Sequence, residues 1–466
     1  MKTSRLTIAL GLAVCTALPL QAAAQDNTAV QDETAEIAAM RAQIAAMQQR
    51  LDQLEQHHAQ HVADGTDTAV TTASSTAMTA PAQDTNQTAV VSDTAVASNN
   101  EASDSRAPAR EASEDGIQLG GAVRFQYSHE NYTPGNHKRR GDMDFDIFRL
   151  DLNGSIGNVD QTAQYRWFQY MNAVHHAWVG YKFTDQDEGQ VGLTRVPFGI
   201  QPFDSHNYFF SSNYYLGLED AYQMGALYAH TGDKWNVQLG FFKNDVNGGV
   251  DGGVSNRSDN YTYSIVGWRA PGEANGADPQ HPIGVADTGA ARVAYRFDLG
   301  KDATLEVGAS ALHGSLEDPT ARVGDYDAEA VHANANFGRW NLQLQSARYA
   351  YHVNGGADRL AVGAYDFYDS IAAKAHSNTG NIAYRLPVSW GPVSALTFYN
   401  DYSLINHKSG NLPNTWMNVS GVSLEAGGLF TYFDYVTARN QPFIGGSMAG
   451  DGKVEHRFNV NFGYYF

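Results

Sequence analysis

The segment His456-Arg-Phe-Asn-Val-Asn-Phe-Gly-Tyr-Tyr-Phe466 ends the chain and alternates without a break. Phe458, Val460, Phe462, Tyr464 and Phe466 fall on one face, and Arg457, Asn459, Asn461, Gly463 and Tyr465 on the other. Successive side chains of a strand point to opposite sides, so one face is apolar and one wet. A strand of about ten residues, apolar outside and polar inside with aromatics at its ends, is what a transmembrane barrel needs. A soluble sandwich strand also alternates, but it seldom ends its chain on a bare aromatic. The ending predicts an all-β fold, a transmembrane antiparallel β-barrel.

The same duality repeats upstream. Leu119, Val123, Phe125 and Tyr127 oppose Gln118, Arg124, Gln126 and Ser128, and Phe148, Leu150 and Leu152 oppose Arg149, Asp151 and Asn153. Ala177, Val179 and Tyr181 oppose His176, Trp178 and Lys182, while Val293, Tyr295 and Phe297 oppose Arg292 and Arg296. Tight turns fall at Gly157-Asn158, Thr231–Lys234, Gly300–Asp302, Gly338-Arg339 and Gly427-Gly428. Long polar loops fall near 130–143, 197–218, 244–287, 314–326, 354–376, 406–415 and 439–454. Short turns at one end and long loops at the other match the asymmetry of such barrels. A direct count gives seventeen strands, but both chain ends on one side require an even number. Because Arg292–Leu299 must run toward the short turn at Gly300, Tyr261–Trp268 belongs to a long loop, leaving sixteen strands across 116–466. A barrel of that size has room for an aqueous channel.

The N-terminal quarter reads differently. Lys2 and Arg5 precede an apolar run from Leu6 to Leu20 and a small-residue site at Ala22-Ala23-Ala24, so residues 1–24 read as a secretory signal. The single cysteine, Cys15, lies inside it, which leaves no thiol for disulfides or metal in the mature chain. Val14 is too large for a lipoprotein cleavage box. Within 25–58, Ile37, Met40, Ile44, Met47, Leu51 and Leu54 keep heptad spacing and predict a short coiled-coil helix that wants partner copies. Residues 59–115 collapse to Thr, Ala, Ser, Asp, Asn and Gln with no aromatic, so no core can offset the ordering entropy and a disordered linker is expected. The stretch 25–116 holds 15 acidic and 4 basic residues, more than half of the net charge of −19. That balance gives no sign of nucleic-acid binding. Past the signal no run reaches 18 apolar residues, so no membrane-spanning helix is expected.

Three segments carry a family resemblance: Phe148-Arg-Leu-Asp-Leu-Asn-Gly154, Ala177-Trp-Val-Gly-Tyr-Lys182 and Gln190-Val-Gly-Leu-Thr-Arg-Val-Pro-Phe-Gly199. Here the chain resembles the phosphate-selective porin O/P family of Gram-negative outer membranes, and its ending resembles the signal strand that the barrel assembly machinery reads. The resemblance implies an outer-membrane porin in a lipid bilayer, a homotrimer, passive diffusion of small hydrophilic solutes including anions such as phosphate, and a periplasmic coil and linker. It also implies an inward-folding loop. The stretch from Pro197 to Gly217 carries Pro197, Phe198, Asp204, Tyr208, Phe209, Phe210, Tyr214 and Tyr215, and rings so dense must pack against something, the lumen or the outer rim. The family's selectivity rests on lumenal arginines and loop lysines. This barrel has only eight lysines and is net acidic, with Arg124, Arg149, Arg166, Arg195, Arg292, Arg296, Arg385 and Arg457 as pore-lining candidates. Such arginines either draw anions or pair with inward acids such as Asp151 and Glu306 and brace the wall.

Other chemistries find little footing. His175 and His176 are adjacent and so are expected on opposite faces, unable to share an ion; His57, His58 and His61 lie in the tail, and no metal site or cofactor is assigned. No G-x-S-x-G, H-E-x-x-H or phosphate-cradling glycine loop occurs, so an enzyme is not expected. A non-conducting adhesin or envelope-tethering barrel, and more distantly an outer-membrane hydrolase, are the alternatives.

Overall fold

The computed structural model describes residues 116–466, so the signal segment, the heptad helix and the linker lie outside the described residues. The alternating segments pair into a closed antiparallel barrel of sixteen strands. Its wall begins with β1 (Gly116–Glu130), β2 (Asp142–Ile156), β3 (Val159–Phe168), β4 (Asn172–Lys182), β5 (Asp187–Arg195), β6 (Tyr222–Thr231) and β7 (Trp235–Asn244). The chain then leaves the wall for β8 (Ser264–Arg269) and β9 (His281–Pro282), and returns as β10 (Gly284–Gly300), β11 (Ala303–Glu317), β12 (Arg322–Phe337) and β13 (Trp340–Val353). It departs again for β14 (Arg359–Ala364) and β15 (Phe367–Ala372) before β16 (Lys374–Trp390), β17 (Val393–Asn406), β18 (Thr415–Ala426), β19 (Leu429–Arg439) and β20 (Val454–Tyr465) complete the wall. The four strands off the wall form one sheet in the order β15-β14-β8-β9, which removes Tyr261–Trp268 from the barrel as the turn order requires.

The C-terminal strand closes the barrel. β20 pairs with β1 from Ala122↔Tyr465 to Glu130↔Arg457, and Phe466 exchanges two backbone hydrogen bonds with Gly121, at 3.0 and 2.9 Å. Arg457, Asn459 and Asn461 are buried inside, while Phe458, Tyr464 and Phe466 are exposed outside. Leu152, Val179, Leu239, Val307, Leu344 and Phe398 are likewise exposed on the outer face. Apolar side chains left outward are a cost in water and a gain against hydrocarbon, which makes this a transmembrane barrel.

Two connections depart from the sequence reading. The expected loop at 314–326 shrinks to four residues, because β11 runs to Glu317 and β12 starts at Arg322. Asp318 accepts from Thr320 N and Ala321 N at 2.7 and 2.8 Å and turns the chain there. In addition, β3 and β4 are joined at the long-loop end by only three residues, closed by Phe168 N donating to Met171 O at 2.9 Å. Nothing in so short a link marks it off from its strands.

Bulges break the alternation at two places that matter for the interior. On β2, Arg124 pairs with Ile147 and Phe125 with Phe145, so Asp146 is the extra residue and both Asp146 and Ile147 turn inward. On β4, Gln164 pairs with His176 and Tyr165 with Val174, leaving His175 extra. His175 and His176 therefore do not face opposite sides: the bulge sends both rings inward, with Nδ1 to Nδ1 at 2.7 Å. An inserted residue re-aims side chains in just this way.

Candidate functional site

The barrel interior is organised by the loop between β5 and β6. It leaves the wall after Arg195, and Val196, Phe198, Ile200 and Phe203 are all buried. Gly199, at φ 62°, lies so close to the wall that a Cβ there would meet Gln345 Oε1 at 2.3 Å. The main chain can press inward only because this residue has no side chain. Its N–H donates to Ser310 Oγ (3.0 Å), and the N–H of Ile200 donates to Gln345 Oε1 (2.7 Å). The carbonyl of Gly199 accepts from Arg292 Nε at 2.7 Å.

Further on, Asp401 of β17 accepts four hydrogen bonds from the loop: His206 N (2.7 Å), Asn207 N (2.9 Å), Asn207 Nδ2 (2.8 Å) and His206 Nδ1 (2.8 Å). One carboxylate thus satisfies two buried backbone donors and holds the loop against the far wall. A short helix, α1 (Ser212–Tyr215), follows, with Ser211 Oγ accepting from Tyr214 N as its cap. Ser212 meets Ser403 Oγ at 2.6 Å, and Ser377 donates to Asn213 at 2.6 Å. These partners sit on β11, β13, β16 and β17, so the loop crosses the lumen and does not lie on the outer rim.

The loop carboxyls are buried with it. Asp204 accepts from Gln345 Nε2 at 3.2 Å and from Thr379 Oγ1 at 3.3 Å, and shares Ser211 with Glu219. Burial, with Asp204 alongside, pushes the Glu219 carboxyl well above the usual range. Burial opposes charging of His206, but the Asp401 carboxylate outweighs that and raises it. Asp220 also pays a burial penalty, yet His175 and Arg195 hold it below the ordinary carboxyl range.

Above the loop, toward the long-loop end, aromatic rings close ranks. Phe443 packs against Phe209, Tyr215 and Phe367 with centroids at 5.4, 5.0 and 5.3 Å. Tyr214 OH donates to Tyr261 O at 2.5 Å and meets Tyr365 OH at 2.7 Å. Four loops thereby share one cluster, seated under the four-stranded sheet. Arg257 ties that sheet to the barrel mouth through Asp245 at 2.7 Å and the Ile283 carbonyl at 2.8 Å.

The eight arginines divide by depth. Arg124, Arg166 and Arg457 face inward but are sealed beneath the cluster, with guanidinium centres 5.5, 4.4 and 5.6 Å from the rings of Tyr208, Tyr261 and Phe210. Arg124 and Arg457 hold the loop by cation–π contact, Arg166 holds Tyr261 of the β7–β8 connection in the same way, and all three are buried. This corrects the reading of them as pore-lining. Seven have an acid within reach: Arg124 Asp146 (3.3 Å), Arg149 Asp151 (2.6 Å), Arg195 Asp220 (3.1 Å), Arg292 Glu306 (2.7 Å), Arg296 Asp298 (3.4 Å), Arg385 Glu425 (2.7 Å) and Arg457 Glu130 (3.4 Å). Arg166 Nε donates to Gln164 at 2.6 Å.

Below the loop, toward the short-turn end, a cavity of about 510 Å³ opens along β2 to β7, with Arg149, Asp151, Trp178, Glu188, Arg195 and Gln238 among its walls. The three segments that carry the family resemblance lie around it on β2, β4 and β5, the third running on past Arg195 into the loop. Sequence reasoning missed Asp401, Asp146, Arg257, Phe443, Trp178 and Glu188. Only the polarity of Asp401 hinted at a role, since alternation with Phe148 puts Asp146 on the outer face.

No family model matches the chain, and no curated protein does. Among solved structures it is similar to OmpT, an outer membrane protein of Vibrio cholerae in its trimer form, at 11% identity over 76% of this chain and 100% of that one, TM-score 0.49. It is similar to an anion-selective porin from Comamonas acidovorans at 13% identity over 76% and 100%, TM-score 0.47. The outer membrane channel DcaP of Acinetobacter baumannii follows at 10% identity over 75% and 97%, TM-score 0.46. Likeness at this level carries no argument about function, which must come from the barrel itself.

Proposed function

We propose that this protein is a passive channel of a Gram-negative outer membrane, admitting small hydrophilic solutes. The observation that carries the reading is a closed sixteen-stranded wall, apolar outside, whose polar interior holds an inserted loop above an open chamber. On this reading the short turns and the N-terminal segments are periplasmic, the long loops face the exterior, and β20 is the strand read by the assembly machinery. The family resemblance adds a homotrimer with the heptad helix contributing. Of the two roles open to the inward arginines, their acid partners support bracing, and a preference for anions such as phosphate then rests on the resemblance alone. Ion current through purified protein in planar bilayers tests the channel, and a reversal potential in a salt gradient reads its charge preference. Protein that inserts and never conducts would refute it. The packed aromatics at the long-loop end favour a second reading, a non-conducting barrel that tethers the envelope, and the same recording decides between them.

A further inference from the structure

The chamber below the loop has a lining unlike that of an ion path. Trp178 projects inward from β4, and two residues on Gly180 offers no side chain: a Cβ there would lie 2.9 Å from Trp178 Cζ3 and 2.4 Å from Glu188 Oε1. The missing side chain lets the indole lie flat on the wall with a carboxylate at its edge. Glu188 Oε2 accepts from Gln190 Nε2 at 3.0 Å, whereas Glu188 Oε1 has no partner within the protein. Across the chamber, Gln201 Oε1 accepts from Gln238 Nε2 at 2.8 Å, and Gln201 Nε2 likewise has no protein partner. The wall therefore holds a half-buried aromatic face, with one idle acceptor and one idle donor buried just behind the chamber surface. A hydroxyl group both donates and accepts, so a ring of hydroxyls answers both.

Charge argues the same way. The guanidiniums of Arg149 and Arg195 are bound to Asp151 and Asp220, Asp160 is bound to Lys182, and Glu188 adds a further carboxylate to the lining. An anion entering here meets cations already committed to acids and, at Glu188, a further carboxylate, at a cost that the low-dielectric wall raises. An uncharged polyol meets neither difficulty. The volume, about 510 Å³, lies within the roughly 300–1,000 Å³ of ordinary small-molecule sites.

We propose that this chamber is a binding site for uncharged polyhydroxylated solutes of the sugar class, with Trp178 as stacking platform and Glu188 and Gln201 as polar contacts. The proposal rests on the channel reading and names the solute class for it. The test records ion current through the full chain in planar bilayers while maltotriose is added on the short-turn side. A saturable fall in current is expected, with Trp178→Ala raising the half-blocking concentration roughly five- to tenfold. Gly180→Val, which pushes the indole off the wall, should act in the same direction while leaving Trp178 in place. Current that ignores maltotriose, that is blocked equally in Trp178→Ala, or that phosphate blocks at lower concentration than maltotriose overturns the sugar site and leaves the channel standing. Absence of any current defeats the channel reading instead. The site is then read in detergent, as the maltotriose-induced change in indole emission lost in Trp178→Phe, and no such difference overturns it.

Discussion

Replacing Asp401 by alanine isolates the anchor of the lumenal loop. Asp401 accepts two backbone and two side-chain hydrogen bonds from His206 and Asn207, all between 2.7 and 2.9 Å. A hydrogen bond to a charged group contributes about 1.5–3 kcal/mol, and an orphaned buried donor costs about 1–3 kcal/mol. Even with two of the four replaced by water, the inserted position loses about 4 kcal/mol, close to a thousandfold in the balance between seated and released loop. Arg292, Ser310 and Gln345 still hold Gly199 and Ile200, Thr379 still holds Asp204, and Ser403 and Ser377 still hold Ser212 and Asn213, so the loop should loosen around His206 and Asn207 while staying tethered on both sides. Single-channel recording should then show larger conductance and frequent substates. The barrel itself should melt as before, because Asp401 keeps its backbone pairing to Asn381 and Val419. Conductance and noise equal to the parent protein would refute the view that this carboxylate seats the loop.

Acid should tighten the same loop. His206 has a raised pKa, so its ion pair is complete below the ordinary histidine value and is lost as pH climbs through the raised one. Glu219 also has a raised pKa, so its neutral, buried form stabilises the seated loop most in acid and progressively less as pH rises. Current noise should therefore fall from about pH 8 to about pH 5, and a double variant, His206→Phe with Glu219→Gln, should flatten the dependence. Arg195→Glu would set a carboxylate where a guanidinium now lies 3.1 Å from Asp220; the reversal potential in a salt gradient should move toward cations, and no movement would place Arg195 outside the ion path. Deleting Phe466 removes two backbone bonds to Gly121 but little buried area, so membrane levels should drop several-fold while assembled barrels melt nearly as before, and normal levels would contradict this.

Much of the wall was legible because a strand with one face in lipid and one in water must alternate, and β20 does so residue by residue. Turn order even removed Tyr261–Trp268 from the barrel. What escaped were departures from period two. The pair His175-His176 reads as opposite faces until a bulge, set by the partner strand's register, turns both inward. Asp401 looks like any polar inward residue between Asn400 and Tyr402, since its ligands lie some 195 positions away in sequence. The arginines were found by alternation, but which of them the loop would cover depends on where Tyr208, Phe210 and Tyr261 finally sit. Such long-range pairings have no local signature.

The sheet built off the wall constrains how this surface can vary. β14 pairs with β8 on one side and β15 on the other, so it is an interior strand contributed by a loop. Loops on a barrel rim ordinarily accept insertions independently of one another. Here a residue added within 359–372 shifts the register against 264–269 and unseats a second loop, whereas at Gly253, where a side chain would meet nothing within 4 Å, added residues project freely. A peptide displayed from this barrel therefore belongs at Gly253, and an antibody raised against the sheet would read two distant parts of the chain as one folded epitope.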